Sequence, residues 1–117
     1  NPSRTFLSLN TGLNHLIRPA MYFAYHRVVN ASRAKGTKKR VTVVGNICES
    51  ADIFAQDRLI VNPQEGDHLA ILDAGAYGYA MSSFYNARVR PAEVLIDGGE
   101  AKLIRKRENL EDSLSFF

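Results

Sequence analysis

The apolar residues of this chain fall in short β-branched runs, each closed by a turn cluster. No helix-periodic stretch alternates regularly with them. The runs are "TFLSL" (5–9), "HRVVNA" (26–31), "RVTVVGNI" (40–47), "DRLIVN" (57–62) and "HLAILDAG" (68–75). Such runs, punctuated by Gly, Pro, Asn and Asp, are strand signals. The clearest comes last: "AEVLID", then "GG", then "EAKLIRKR" (92–107), in which Asp97, Gly98 and Gly99 supply residues that accept positive φ in a tight hairpin. Without strand–helix–strand alternation a parallel α/β sheet is disfavoured. The expected fold is all-β, a barrel or sandwich with a short helical insertion. That insertion is "GLNHLIRPAMYFAYH" (12–26), with Leu13, Leu16 and Ile17 at helical spacing, and Met21 and Tyr25 likewise. Pro19 suits a first turn and breaks an interior, so two short helical pieces are expected to meet near Arg18. "NLEDSLSFF" (109–117) is expected to be a terminal helix capped by Asn109, with Asp112 three residues on.

A length of 117 residues suits one domain, 1–117, around one core. A single cysteine rules out an internal disulfide framework and points to a reducing compartment, the cytoplasm, or the plastid in a plant. No apolar run approaches about eighteen residues, so no membrane partner is expected. The start, "NPSRTFLSLN", lacks both a signal pattern and an initiator Met, and the chain is expected to be a piece of a longer one. Fifteen basic against twelve acidic residues leave a net charge of +3. The positive charge gathers in "SRAKGTKKR" (32–40). This is either a phosphate-binding loop or a solvated hairpin loop between two strands. No aromatic residues interleave the charges for base stacking, so nucleic acid is not an expected partner.

Three stretches carry residues with chemical potential. In "VVGNICESADIFAQDR" (43–58), Cys48 is followed by Glu49, Ser50 and Asp52. A lone thiol is commonly a small buried hydrophobe. Here it lies past a strand end, among polar groups that are hard to bury, where reactive side chains are presented. Acidic neighbours raise a thiol's pKa, which favours a proton donor over a thiolate nucleophile. With no convergent Cys and His set, no metal is expected. In "LIRPAMYFAYH" (16–26), Arg18 and Tyr22 are four apart and can share a helix face. An arginine fork with a tyrosine hydroxyl suits a carboxylate, although pairing of Arg18 with an acid of the same chain is equally open. In "LDAGAYGYAMSSFYNARVRP" (72–91), Asp73, Gly75 and Gly78 mark a sharp turn around Tyr77. Tyr77, Tyr79 and Tyr85 also suit a core or an interface. Neither a dinucleotide fingerprint nor a phosphate-loop lysine motif is present.

Taken in order, "NHLIRPAMYFAYH", "VVGNICESADIFAQDR" and "DAGAYGYAMSSFYNARVRPAEVLIDGG" resemble the C-terminal part of the diaminopimelate decarboxylases. These belong to the pyridoxal-phosphate decarboxylases whose fold resembles alanine racemase. The resemblance runs from about Phe6 to Glu108. It implies a β-domain whose partner, an N-terminal (β/α)₈ barrel carrying the cofactor lysine, lies outside this chain. It also implies a homodimer with active sites at the subunit interface, pyridoxal 5'-phosphate as cofactor, and decarboxylation of meso-2,6-diaminopimelate to L-lysine. By motif match, Cys48 would donate a proton after carbon dioxide leaves and Glu49 would bind the substrate's amino group. Arg18 and Tyr22 would hold its distal carboxylate, and Tyr77 would contact cofactor and substrate. None of Lys35, Lys38, Lys39, Lys102 and Lys106 lies in a stretch resembling a cofactor lysine site.

The sequence departs from the family at His15, where Asp is common, and at Phe23, where a small residue is common. It departs also at Asn10 and Thr11, in place of Asp-Ala, and at Asn46, where Pro is frequent. Two alternatives remain. One is a relative acting on ornithine, arginine or carboxynorspermidine, which would need no carboxylate partner at Arg18. The other is a non-catalytic basic β-barrel that binds partners or nucleic acid through residues 32–40.

Overall fold

The computed structural model describes residues 4–47 and 49–114. The order is β1 (Phe6–Ser8), α1 (Arg18–Tyr22), β2 (Val28–Asn30), β3 (Lys38–Val44), β4 (Ile53–Val61), β5 (Leu69–Ile71), β6 (Glu93–Asp97), β7 (Glu100–Arg105) and α2 (Leu110–Leu114). A single 3₁₀ turn covers Tyr85–Ala87. The architecture is mainly β, as the turn-punctuated runs imply. Among the described residues the strands form three sheets, and none closes on itself: β1-β3-β4, β2-β5 and β6-β7. Within the described residues no helix is long and apolar enough to cross a membrane.

The core lies on β3 and β4. Val41 and Val43 point to one side of β3 and are buried, Val43 at 0% exposure, with Leu16, Val28, Phe54, Ala55 and Ile60 packed around them. β1 runs parallel to β3 (Phe6↔Thr42) and β4 antiparallel to it (Lys38↔Val61). The first two sheets meet where β2 runs beside β4. No backbone ladder joins those two strands; side chains do. Asn30 Nδ2 donates to the Val61 carbonyl (2.9 Å), and Arg58 Nη1 donates to the His26 carbonyl (2.9 Å).

Several expectations are corrected. β4 begins at Ile53, four residues before the run "DRLIVN". Its pairing with β3 shifts between Val41↔Arg58 and Val43↔Ala55, at Asp57, which has φ 50°. This bulge interrupts the period-2 alternation that marks a strand and so hides its first half. The basic run does not join a hairpin. β2 pairs with β5, and β3 with β1 and β4, so residues 31–37 cross from one sheet to another. Asn30 shapes that crossing, its Oδ1 accepting from the N–H groups of Ser32 (3.0 Å) and Arg33 (3.2 Å). The run is fully exposed as expected, and Arg33 pairs with Asp67 (2.8 Å). The insertion holds one helix, not two helical pieces. Residues 13–15 form a turn in which the N–H of His15 donates to the Gly12 carbonyl (3.0 Å), and the helix starts at Arg18 with Pro19 in its first turn. α2 follows Asn109 directly; the side chain of Asp112 lies outside the described residues.

The hairpin β6–β7 agrees with its sequence: Asp97 pairs with Glu100 across Gly98 (φ 57°) and Gly99 (φ 80°). Two successive positive φ values give the turn whose twist matches the strands, and only glycine takes them without strain.

Candidate functional site

Three loops meet at one end of the first sheet, and they are the three stretches singled out by sequence. The first, residues 11–15, leads into α1. The second, residues 45–52, joins β3 to β4 and carries Cys48 and Glu49. The third, residues 74–90, carries Tyr77, Tyr79 and Tyr85.

Asp52 joins the first loop to the second. It is 4% exposed; Oδ1 accepts from the Leu13 N–H and Oδ2 from the Ile47 N–H, both at 2.8 Å. Its own carbonyl accepts from the Gly45 N–H (2.9 Å), and a Cβ on Gly45 would collide with the Asp52 carboxylate. A buried carboxylate that receives two backbone donors is a structural anchor, because each donor would otherwise be left without a partner. The Asn46 N–H adds a bond to the Thr11 carbonyl (2.9 Å). Asp52 was read from sequence only as an acidic neighbour of the thiol. Its role as an anchor was missed, because one partner lies 39 residues away.

Asn14 and His15 join the first loop to the third. Asn14 Nδ2 donates to the carbonyls of Ser83 (3.3 Å) and Arg88 (3.2 Å), and Ser83 N–H returns a bond to the Asn14 carbonyl (2.8 Å). His15 Nε2 bonds the Val89 carbonyl (2.7 Å) and Nδ1 the Thr11 hydroxyl (2.6 Å). His15 and Thr11, two of the departures from the family pattern, thus bond each other.

The site residues are displayed on this junction. Arg18 opens α1 and Tyr22 closes it, one turn apart. After Tyr22 the backbone turns left-handed at Phe23 (φ 57°), so that the N–H groups of Phe23 and Ala24 close on the carbonyls of Pro19 and Arg18. Phe23, next to Tyr22 in the chain, is 91% exposed. Three arginines are half-buried among the described residues: Arg18, Arg58 and Arg90. Arg58 bonds His26 and stacks on Tyr25 at 3.9 Å, and Arg90 pairs with Glu108 at 3.1 Å. Arg18 alone of the three has no hydrogen-bond or ion-pair partner for its guanidinium among the described residues.

Glu49 is exposed in the second loop. Oε2 accepts from the Tyr85 hydroxyl (3.2 Å), and Oε1 from the Ser50 hydroxyl (3.5 Å). Tyr85, considered from sequence only as a core or interface residue, therefore reaches across to the loop of Glu49. Cys48 lies outside the described residues. Tyr77 is 65% exposed with φ 64°, and Gly78 beside it packs so closely that a Cβ would collide with the Ala74 carbonyl. Among the described residues no hydrogen bond joins Arg18, Tyr22, Glu49 and Tyr77 to one another; Tyr22, Glu49 and Tyr77 are exposed, and Arg18 is half-buried. The five lysines are all exposed, and none lines the hollow of about 190 Å³ bounded by Ala74, Gly75, Gly78, Tyr79 and Arg90. The phenol of Tyr79 borders that hollow, and Tyr77 lies one residue before Gly78 in its wall. Among the described residues no three His, Cys, Asp or Glu side chains could jointly hold a metal ion.

The family model described as pyridoxal-dependent decarboxylase, C-terminal sheet domain, matches residues 1–75. A diaminopimelate decarboxylase of Aquifex aeolicus is 50% identical over 109 residues, covering 93% of this chain and 26% of the relative. That of Methanothermobacter thermautotrophicus is 47% identical over 112 residues, 95% of this chain and 26% of the relative. A crystal structure of diaminopimelate decarboxylase from Methanocaldococcus jannaschii in complex with L-lysine superposes with a TM-score of 0.94 at 41% identity, covering 99% of this chain and 26% of that one. The chain thus spans about a quarter of the length of these relatives. By the family match across its first 75 residues, the chain belongs to the C-terminal sheet domains of the pyridoxal-dependent decarboxylases.

Proposed function

We propose that this chain is the C-terminal β-domain, residues 1–117, of a diaminopimelate decarboxylase that converts meso-2,6-diaminopimelate to L-lysine and carbon dioxide. The observation that carries this reading is half-buried Arg18, whose guanidinium has no partner among the described residues, one helical turn from Tyr22. A cation taken partly out of water without a counter-ion is costly. A substrate that ends in a carboxylate supplies that counter-ion through a bidentate fork; one that ends in an amine does not.

Pyridoxal 5'-phosphate, when bound, supplies the electron sink for loss of carbon dioxide. Its anchoring lysine belongs to the (β/α)₈ barrel outside this chain. The residues here bind, orient and protonate. Arg18 and Tyr22 grip the distal carboxylate. Glu49, held by Tyr85 and Ser50, takes the substrate's ammonium group. Cys48 delivers a proton from its thiol. Tyr77 donates its phenol to cofactor and substrate. Tyr22, Glu49 and Tyr77 are exposed, which supports a site completed from the barrel and from the second subunit of a homodimer.

The test uses the full-length polypeptide that contains this chain. Cys48→Ala is expected to cut turnover at least about 10²-fold, in the range of a lost general acid, with cofactor content unchanged. Arg18→Ala is expected to raise KM for diaminopimelate by a similar factor. Unchanged turnover in Cys48→Ala, or an unchanged KM in Arg18→Ala, sinks the corresponding role.

A further inference from the structure

We infer that Arg90 is the positioning residue for Tyr77, a clamp that holds the tyrosine loop in the conformation that presents the phenol; this rests on the role proposed above for Tyr77. Tyr77 is a bulky L-residue in the left-handed region (φ 64°), which persists only where the surroundings fix it. Few bonds are local to it. Met81 N–H donates to the Tyr77 carbonyl (3.3 Å) and Ser82 N–H to the Tyr79 carbonyl (3.0 Å). The Ser82 hydroxyl also donates to the Tyr79 carbonyl (2.6 Å). The last two start from Ser82, the neighbour of Met81.

Arg90, at the end of the loop, fastens Ser82. Its Nε donates to the Ser82 hydroxyl (2.7 Å) and its Nη2 to the Ser82 carbonyl (3.1 Å). The other end of the guanidinium is held by Glu108, with Nη1 3.1 Å from Oε2. The backbone repeats the link: Arg90 N–H donates to Glu108 Oε1 (2.8 Å), and Glu108 N–H to the Arg90 carbonyl (3.2 Å). That backbone donor holds the Glu108 carboxyl below its ordinary range, aided by the guanidinium, so the pair stays charged. Tyr79, between Tyr77 and Ser82, is gripped by its ring as well. Arg105 lies 3.5 Å and Arg90 5.6 Å from the ring centroid, and Arg105 is in turn tied to Glu93 at 3.2 Å. The loop is thereby locked to the base of the β6–β7 hairpin. A lysine in place of Arg90 offers one point of attachment where the fork offers several.

The test is a double-mutant cycle in the full-length polypeptide, read as the dissociation constant for pyridoxal 5'-phosphate and as amide exchange of residues 76–82 without cofactor. Arg90→Met is expected to weaken cofactor binding about tenfold and to speed exchange at least as much. In the Tyr77→Phe background Arg90→Met is expected to cost less than about twofold further, because it acts through the phenol. Ser82→Ala, which leaves the Arg90–Glu108 pair in place, serves where Arg90→Met does not fold; a rise of about threefold is expected, again absent with Phe at 77. Equal losses in both backgrounds, or no loss in the first, overturn the inference. If Tyr77→Phe itself leaves cofactor affinity unchanged, the reading of Tyr77 fails, and the clamp stands or falls on the exchange rates alone.

Discussion

Replacing Asp52 by Asn should open the loop that carries Cys48 and Glu49. The carboxylate accepts from the N–H groups of Leu13 and Ile47, both at 2.8 Å, in a site 4% exposed. An amide keeps one acceptor and turns its NH₂ towards the other donor. A hydrogen bond to a charged group contributes about 1.5–3 kcal/mol, and the donor left facing an NH₂ adds a desolvation cost of about 1–3 kcal/mol. A local destabilisation of about 3 kcal/mol follows, which corresponds to an opening equilibrium on the order of 10²-fold larger. Amide hydrogen exchange in the full-length polypeptide reads this directly: Leu13 and Ile47 should exchange on the order of 10²-fold faster in Asp52→Asn, while Val41 and Val43 of the core stay protected. Turnover should fall with them, since the proposed donor and ammonium ligand share that loop. Unchanged exchange at both amides would refute the anchoring role, and faster exchange confined to one would show that Asn satisfies the other.

Three further outcomes are expected. Phe23→Asn should stabilise the protein by about 0.5–1 kcal/mol in denaturant titration, because Phe23 is left-handed and 91% exposed, and Asn tolerates that conformation; a loss of stability would mean the ring is packed against a neighbour. Asp67 is held at about pKa 2, first by Arg33, then by the Asn30 side chain and the Gln64 N–H. Its contribution is therefore complete above about pH 4 and is lost as the pH falls towards 2, so Asp67→Asn should flatten that acid limb of stability; an unaltered limb would show that other carboxyls set it. The 117-residue chain alone, mixed with pyridoxal 5'-phosphate, treated with borohydride and dialysed, should retain no stoichiometric cofactor, as its lysines all sit on exposed strands and loops; retention at a single lysine would contradict the assignment of the anchor to another domain.

What the sequence made legible was local. The β6–β7 hairpin follows from Asp97-Gly98-Gly99, because turn chemistry acts within four residues. Pro19 marked the first turn of α1 for the same reason. What it hid was set by distant partners. The bulge at Asp57 exists only against Thr42 of β3, whose hydroxyl accepts the Asp57 N–H at 3.2 Å. β2 finds β5 and not β3, so the basic run looked like a hairpin loop. At the candidate site, residue types singled out Arg18, Tyr22, Glu49 and Tyr77, while Asp52, Tyr85 and Arg90 did not stand out, because their bonds run to residues well beyond local turn range, 39, 36 and 18 positions away.

Carbon dioxide release by the full-length polypeptide, with meso-diaminopimelate, L-ornithine and L-arginine compared side by side, bears most directly on the proposed chemistry. Release from diaminopimelate alone is expected, because Arg18 lacks any other counter-ion among the described residues. Release from ornithine or arginine in its place would contradict the carboxylate role of Arg18 and shift specificity to Phe23 and the residues around it.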